Sequence, residues 1–185
     1  ITFVATPNSG LFCGAHVDFI DIDSETFNIC LNELEKKLLH ASLIGKLPKV
    51  IILVHMAGQS TQNKEIYKLV KPFGIKIVED ASHSLGGGYE NKKIGCCKYS
   101  DITVFSFHPV KMITTGEGGM AMTNCQNYAN KMRRLVSHGV TRDKKFMSKK
   151  FPESWYYEQI DLGWNYRLTE FQAALGLSQM NRLDS

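Results

Sequence analysis

Short apolar runs alternate with amphipathic segments along the 185 residues of this chain. Six runs have the length and the content of β-branched and other apolar side chains that favour β-strands. They comprise residues 1–6, 17–22, 50–55, 75–80, 101–107 and 118–123. Several are almost continuously apolar, which is typical of strands that are covered on both faces. The runs therefore predict a sheet that is buried between other layers.

The segments between these runs carry apolar residues at the spacing of amphipathic helices. The predicted stripes are Leu31, Leu34, Leu38 and Leu39; Ile66, Leu69, Val70 and Phe73; and Tyr128, Met132, Leu135 and Val136. Gly74 follows the second stripe, where a left-handed residue commonly ends a helix. Thr169 and Gln172 form a capping-box pattern that predicts the start of a last helix. Residues 139–160 are polar and aromatic without a clear period, which predicts a loop region.

Alternating strands and helices predict an α/β fold with a mostly parallel sheet flanked by helices. In such sheets, ligands bind beyond the carboxyl ends of the strands. Asp80 ends one predicted strand, and Ser106 and His108 end another. Lys111 and the glycine-rich stretch 114–119 follow shortly afterwards. These polar residues predict a ligand site at that edge of the sheet.

The composition is that of a soluble globular protein without a nucleic-acid surface or a membrane anchor. Hydrophobic residues make up 43% of the chain, charged residues 22%, and the formal net charge is +4. No basic block is interleaved with aromatic residues, and no apolar run approaches the roughly 20 residues of a membrane helix. The five cysteines lack the CxxC spacing of metal or redox motifs. We expect a reduced, cytoplasmic protein with no nucleic-acid or membrane partner.

Several common catalytic motifs do not occur in the sequence. The triple glycine at 86–88 does not fit the GxGxxG pattern of dinucleotide sites, and there is no GxSxG elbow of a serine hydrolase. His55, His83 and His108 lack the HExxH spacing of a zinc site. A lysine-centred carbonyl site stays open, although each polar residue taken singly also has a structural explanation.

Five segments together carry a resemblance to a known family. They are VHMAGQ (54–59), VEDASHSLG (78–86), FSFHPVK (105–111), TTGEGG (114–119) and GWNYRLTE (163–170). In this order they resemble the DegT–DnrJ–StrS family of sugar aminotransferases, which depend on pyridoxal 5′-phosphate (PLP). The resemblance implies PLP-dependent transferase fold type I, with residues 1–185 as the central part of the PLP-binding large domain. It also implies that an N-terminal phosphate-binding segment and a small C-terminal domain are absent from this sequence.

The resemblance further implies roles for individual residues. Lys111 corresponds to the catalytic lysine that holds PLP as a Schiff base, and Asp80 to the carboxylate that pairs with the pyridine nitrogen. A charge-assisted bond of that kind, worth about 1.5–3 kcal/mol, keeps the ring protonated and able to accept electrons. The other implied cofactor-binding residues are His83 beside the cofactor, Phe3 stacked on its ring, Ser106 near the phosphate, and Asn165 from the neighbouring subunit of a homodimer.

The activity implied by the resemblance is transfer of an amino group through PLP to a nucleotide-linked keto sugar at C4, with glutamate as the donor by analogy. Segments 137–143 and 155–158 resemble the branch that aminates a UDP-4-keto-6-deoxy-N-acetylhexosamine on the route to pseudaminic acid, for cell-surface polysaccharide. Two alternatives stay open. One is a non-catalytic sugar-binding or regulatory homologue, or an inactive fragment. The other is a PLP-dependent sugar dehydratase, in which histidine replaces the lysine, so Lys111 disfavours it.

Overall fold

A computed structural model describes residues 1–150 and 153–183 of the chain. Its helices are α1 (Ala5–Phe12), α2 (Leu31–Leu43), α3 (Asn63–Val70), α4 (Gln126–Leu135) and α5 (Glu170–Met180). Its strands are β1 (Val50–Val54), β2 (Lys76–Asp80), β3 (Gly88–Tyr89), β4 (Lys92–Lys93), β5 (Ile102–Ser106), β6 (Gly119–Met122), β7 (Val140–Thr141) and β8 (Glu158–Gln159). Short 3-10 helices at Met56–Gly58 and Lys71–Phe73 follow β1 and α3.

Four strands form the main sheet in the order β1-β2-β5-β6. Strands β1, β2 and β5 are parallel, and β6 runs antiparallel to β5. Val54 pairs with Asp80, and Asp80 pairs with Val104. The carboxyl ends of the three parallel strands therefore lie together at one edge of the sheet. This arrangement confirms the predicted α/β fold with a mostly parallel sheet.

Two clusters of buried apolar side chains pack against the sheet. The first joins α2 and α3 to β1 and β2 and consists of Leu34, Leu38, Leu53, Ile66, Val70, Ile75 and Ile77. The second surrounds β5 and the segments after β2 and β5, and consists of Ala81, Ile94, Phe105, Phe107 and Ile113. Full burial of a large apolar side chain contributes roughly 1.5–3 kcal/mol. The second cluster therefore lies at the carboxyl ends of β2 and β5, where the predicted site lies.

Most of the predicted elements are confirmed. Strands β1, β2, β5 and β6 lie within the runs 50–55, 75–80, 101–107 and 118–123. Helices α2, α3 and α4 carry most of the three predicted stripes, although Phe73 lies in the following 3-10 helix and Val136 just after α4. Gly74 has a left-handed φ of 69°, and the capping box at Thr169 is present. The predicted loop 139–160 is irregular apart from β7 and β8, and residues 151–152 lie outside the described residues.

The two N-terminal strand predictions are wrong. Residues 1–6 lead into α1, because Pro7 has no N–H for a strand ladder but is tolerated in the first turn of a helix. Segment 17–22 makes only an isolated bridge between Ile22 and Ile29. Within the described part of the chain no strand pairs along this segment, and β-branched side chains without such a partner do not form a strand.

Candidate active site

Asp80 is the last residue of β2 and lies between the ends of two parallel neighbours. The N–H of His55 donates to the carbonyl oxygen of Asp80 at 3.1 Å. On the other side, the N–H of Ala81 donates to the carbonyl oxygen of Val104 at 2.8 Å. These bonds extend both ladders beyond the strands, so the main chain at Asp80 is held from two sides.

Three donors hold the half-buried carboxylate of Asp80. Its Oδ1 accepts the hydroxyl of Ser82 at 2.6 Å and the N–H of Ser82 at 3.2 Å, which is the pattern of a local Asx-turn. Its Oδ2 accepts the hydroxyl of Thr6 at 2.7 Å, across 74 positions of sequence. An ionised carboxylate has about four acceptor positions, so Oδ2 retains the capacity to accept an N–H of a ligand. Sequence reasoning missed Thr6, because it fell within the predicted strand 1–6.

Lys111 lies in the turn that follows β5. Its N–H donates to the carbonyl oxygen of His108 at 3.0 Å, and the hydroxyl of Ser106 accepts the N–H of His108 at 3.3 Å. Buried Phe107 and Ile113 anchor the turn on either side. The side chain of Lys111 is partly buried, and within residues 1–150 and 153–183 its ammonium group makes no hydrogen bond or ion pair. Among these residues, the amine therefore has no partner that would compete with a ligand.

His83 follows the strand-end carboxylate in a turn that packs against the segment after β1. Its side chain is exposed, and a Cβ at Gly58 would stand 2.8 Å from its carbonyl oxygen. Gly58 has a φ of 89°, which a residue with a side chain rarely adopts. Buried Asn28 holds this segment, since its amide donates to two carbonyl oxygens at 3.2 Å each and its Oδ1 accepts an N–H at 3.1 Å. Sequence reasoning missed Asn28, which carries no local signal of this role.

Phe3 and Asn165 are both exposed. The carbonyl oxygen of Phe3 accepts the N–H of Thr6 at 3.2 Å, so Phe3 directly precedes the helix whose Thr6 contacts Asp80. Asn165 pairs with Ser137 in an isolated bridge next to the end of α4. None of the hydrogen bonds in the described residues joins Asn165 to the residues at the carboxyl ends of β2 and β5. Its contact with a cofactor of the neighbouring subunit stays a prediction.

A buried acid precedes the strand-end carboxylate on β2. Glu79 is 4% exposed. Its carboxylate accepts the amide of Asn63 at 2.6 Å, the hydroxyl of Ser100 at 3.0 Å and the hydroxyl of Thr103. Buried His55 accepts an N–H at its Nδ1, and its Nε2 lies 3.6 Å from Glu79. Burial acts most strongly and raises the pKa of Glu79, but the donors, His55 among them, together outweigh it, so this pKa lies below its usual value.

The groups at this edge of the sheet fit PLP better than a metal ion. Among the described residues no cluster of three or more His, Cys, Asp or Glu side chains has the arrangement of a metal site. Asp80 offers an acceptor for a ring N–H, Lys111 a primary amine for an aldehyde, and Ser106 a hydroxyl near the turn.

None of the helices in the described residues has the length and apolar character to span a bilayer.

Comparison with known proteins identifies similar chains along the whole sequence. A transaminase of Campylobacter jejuni, named for UDP-4-amino-4,6-dideoxy-N-acetyl-beta-L-altrosamine, is 40% identical over 185 residues, which are 100% of this chain and 45% of the relative. A GDP-perosamine synthase of Caulobacter vibrioides is 36% identical over 184 residues, covering 100% of this chain and 44% of the relative. This chain therefore spans less than half the length of the curated relatives that it matches.

Solved structures agree with these sequence matches. One is Helicobacter pylori PseC, described as an aminotransferase involved in the biosynthesis of pseudoaminic acid. It matches this chain with a TM-score of 0.85 and 37% identity, and the match covers 100% of this chain and 45% of the PseC chain. A Streptococcus pneumoniae protein described as a sugar aminotransferase is 28% identical in its PMP form, with a TM-score of 0.82 and coverage of 99% and 49%. A family model matches residues 1–185. The chain belongs to the DegT/DnrJ/EryC1/StrS aminotransferase family.

Proposed function

We propose that this chain is the central, PLP-binding part of the large domain of a nucleotide-sugar aminotransferase. One observation carries the proposal. In the chain, which the family model matches throughout, a carboxylate with spare acceptor capacity ends β2, and a lysine amine without a partner among the described residues follows the adjacent parallel strand β5. The existence of PLP and PMP forms of the Streptococcus pneumoniae relative supports the choice of cofactor.

Each site residue has a proposed task. PLP supplies an electron sink for reactions at the carbon that bears the amino group. The Nζ of Lys111 would hold the cofactor at its aldehyde group and would accept and return the proton that transamination moves. Asp80 would accept the pyridine N–H at Oδ2. The remaining contacts that we propose are Phe3 and His83 with the ring, Ser106 with the phosphate, and Asn165 with the phosphate in the neighbouring subunit of a homodimer.

The substrate proposal is finer than the family assignment. We propose glutamate as the amino donor and C4 of a UDP-4-keto-6-deoxy-N-acetylhexosamine as the acceptor. The names of the Campylobacter jejuni relative and the Helicobacter pylori structure support this choice. The Caulobacter vibrioides relative is named for a GDP sugar, so the nucleotide is a point that the experiment must test. A cytoplasmic location stays a prediction.

Cofactor binding is tested by titrating the protein with PLP and recording the visible absorption band of the lysine-bound cofactor. Lys111→Ala should abolish this band, because no amine is left to bind the aldehyde at this position. Lys68→Ala is the matched control, since Lys68 is an exposed lysine of α3, and this variant should keep the band. A band that persists in Lys111→Ala, or that the unsubstituted chain never develops, would refute the proposal.

Turnover is tested separately with the keto sugar and glutamate that carries a nitrogen-15 label. Transamination transfers the label to the sugar, whereas a dehydratase yields a sugar without it. A non-catalytic homologue develops the cofactor band but forms neither product. The three outcomes therefore distinguish the proposed aminotransferase from the two alternatives that the sequence leaves open.

A further inference from the structure

We propose that Thr6 is a positioning residue that orients the Asp80 carboxylate toward the cofactor ring. This inference rests on the proposed function, because it assigns to Thr6 an effect on the bond between Asp80 and the pyridine nitrogen. It adds a residue of α1 to the proposed site.

The two oxygens of Asp80 are held in different ways. Oδ1 is held by Ser82, two residues along the chain, through both its N–H and its hydroxyl. Oδ2 is held by Thr6, which reaches it from a separate helix. The terminal torsion of an aspartate side chain has a broad energy profile, so Ser82 alone leaves the carboxylate free to rock about Oδ1. The Thr6 hydroxyl provides the second point that fixes the carboxylate plane.

Thr6 also sets where the start of the chain lies relative to the site. None of the described residues of α1 is buried, so core packing does not hold this helix against the sheet. A hydroxyl that donates to a carboxylate is a charge-assisted hydrogen bond, roughly twice as strong as a neutral one. Because the N–H of Thr6 also donates to the carbonyl oxygen of Phe3 at 3.2 Å, the same residue links the proposed stacking ring to Asp80.

The bound cofactor and Thr6 would share Oδ2. An ionised carboxylate oxygen can accept two donors, so the hydroxyl occupies one lone pair and directs the other toward the ring N–H. Loss of the hydroxyl should therefore weaken the bond to the pyridine nitrogen specifically. It should not weaken contacts with the aldehyde or the phosphate, which other residues make.

The test compares PLP with 1-deazapyridoxal 5′-phosphate, in which a carbon replaces the ring nitrogen. Thr6→Val keeps the shape of the side chain and removes the donor. We expect it to reduce affinity for PLP on the order of tenfold, and to leave affinity for the deaza analogue within about twofold. Thr6→Ser restores the hydroxyl and should restore PLP affinity. Thr26→Val is the matched control, because Thr26 donates to Asp23 at 3.0 Å in a part of the chain without proposed site residues.

Each outcome decides the inference. Equal losses of affinity for PLP and for the deaza analogue in Thr6→Val would show a general structural role and overturn the inference. An unchanged PLP affinity in Thr6→Val would overturn it too, as would a Thr6→Ser variant that does not recover PLP affinity. Thr6→Ala provides a second variant without the hydroxyl and should show the same selectivity between the two ligands. If the unsubstituted protein binds neither ligand, the proposed function fails and the inference fails with it. Normal PLP binding without a selective effect of Thr6 overturns the inference alone.

Discussion

Replacing Glu79 by Gln should destabilise the fold strongly, although the side chain keeps its size. The carboxylate is buried in β2 and accepts donors from three side chains, Asn63, Ser100 and Thr103. A glutamine accepts only at its carbonyl oxygen, so the hydroxyls of Ser100 and Thr103 must turn and accept from its NH₂ group. The substitution therefore replaces charge-assisted hydrogen bonds by weaker neutral ones.

The magnitude follows from the number and kind of these bonds. A hydrogen bond to a charged group contributes about 1.5–3 kcal/mol, compared with about 0.5–1.5 kcal/mol for a neutral one. Because the bonds from Asn63, Ser100 and Thr103 all lose their charged acceptor, we expect a loss of about 3 kcal/mol in the free energy of unfolding. At about 2–4 °C per kcal/mol for a chain of this size, the melting temperature should fall by roughly 6–12 °C.

The sign of the pH dependence provides a second measurement. The pKa of Glu79 in the folded protein lies below its ordinary value, so the ionised form contributes stability above the unfolded pKa of about 4.3. That contribution is lost as the pH falls through the folded pKa. The difference in the free energy of unfolding between the wild-type chain and Glu79→Gln should therefore be largest near neutral pH and shrink on acidification below about pH 4.

The assay is urea unfolding followed by circular dichroism at neutral and acidic pH. The control is Glu33→Gln, which neutralises an exposed carboxylate of α2 that pairs with Lys36 at 2.7 Å. This control should change stability little, since exposed ion pairs are weak. The reasoning is refuted if the free energy of unfolding of Glu79→Gln lies within about 0.5 kcal/mol of the wild-type value at neutral pH. It is also refuted if the difference between the two free energies does not shrink as the pH falls below the unfolded pKa.

Two further predictions concern single positions. Gly58→Ala places a Cβ 2.8 Å from the carbonyl oxygen of His83 at a φ of 89°. It should lower the free energy of unfolding by about 2–4 kcal/mol and weaken PLP binding. The control is Gly45→Ala, at a φ of 66° with nothing within 4 Å, which should lower the free energy of unfolding by only about 1 kcal/mol and leave PLP binding unchanged. Thr169→Ala removes the capping box with Gln172 and should lower the free energy of unfolding by about 1 kcal/mol, measured by thermal unfolding. Thr169→Ser keeps the hydroxyl and should be nearly neutral. A Thr169→Ala variant as stable as the wild-type chain would contradict the role of the cap.

Local patterns in the sequence determined much of this fold. Apolar runs between residues 50 and 123, three of them rich in β-branched residues, predicted the four strands of the main sheet. Gly74 and Thr169 marked helix ends through chemistry that involves only a few neighbouring residues. The order of strands and helices then predicted that Asp80 would end one parallel strand and that Lys111 would follow the end of another, as they do.

Tertiary structure alone decided the contacts that join distant segments. No local pattern links Thr6 to Asp80, because a hydrogen bond across 74 positions depends on how α1 lies against the sheet. The same holds for the donors around Glu79, which come from two segments that are far apart in sequence and meet only in the folded chain. Residues 17–22 form no strand for a related reason, since a strand requires a partner as well as suitable side chains. Sequence thus determined most of the elements that form, and packing determined which side chains hold them in place.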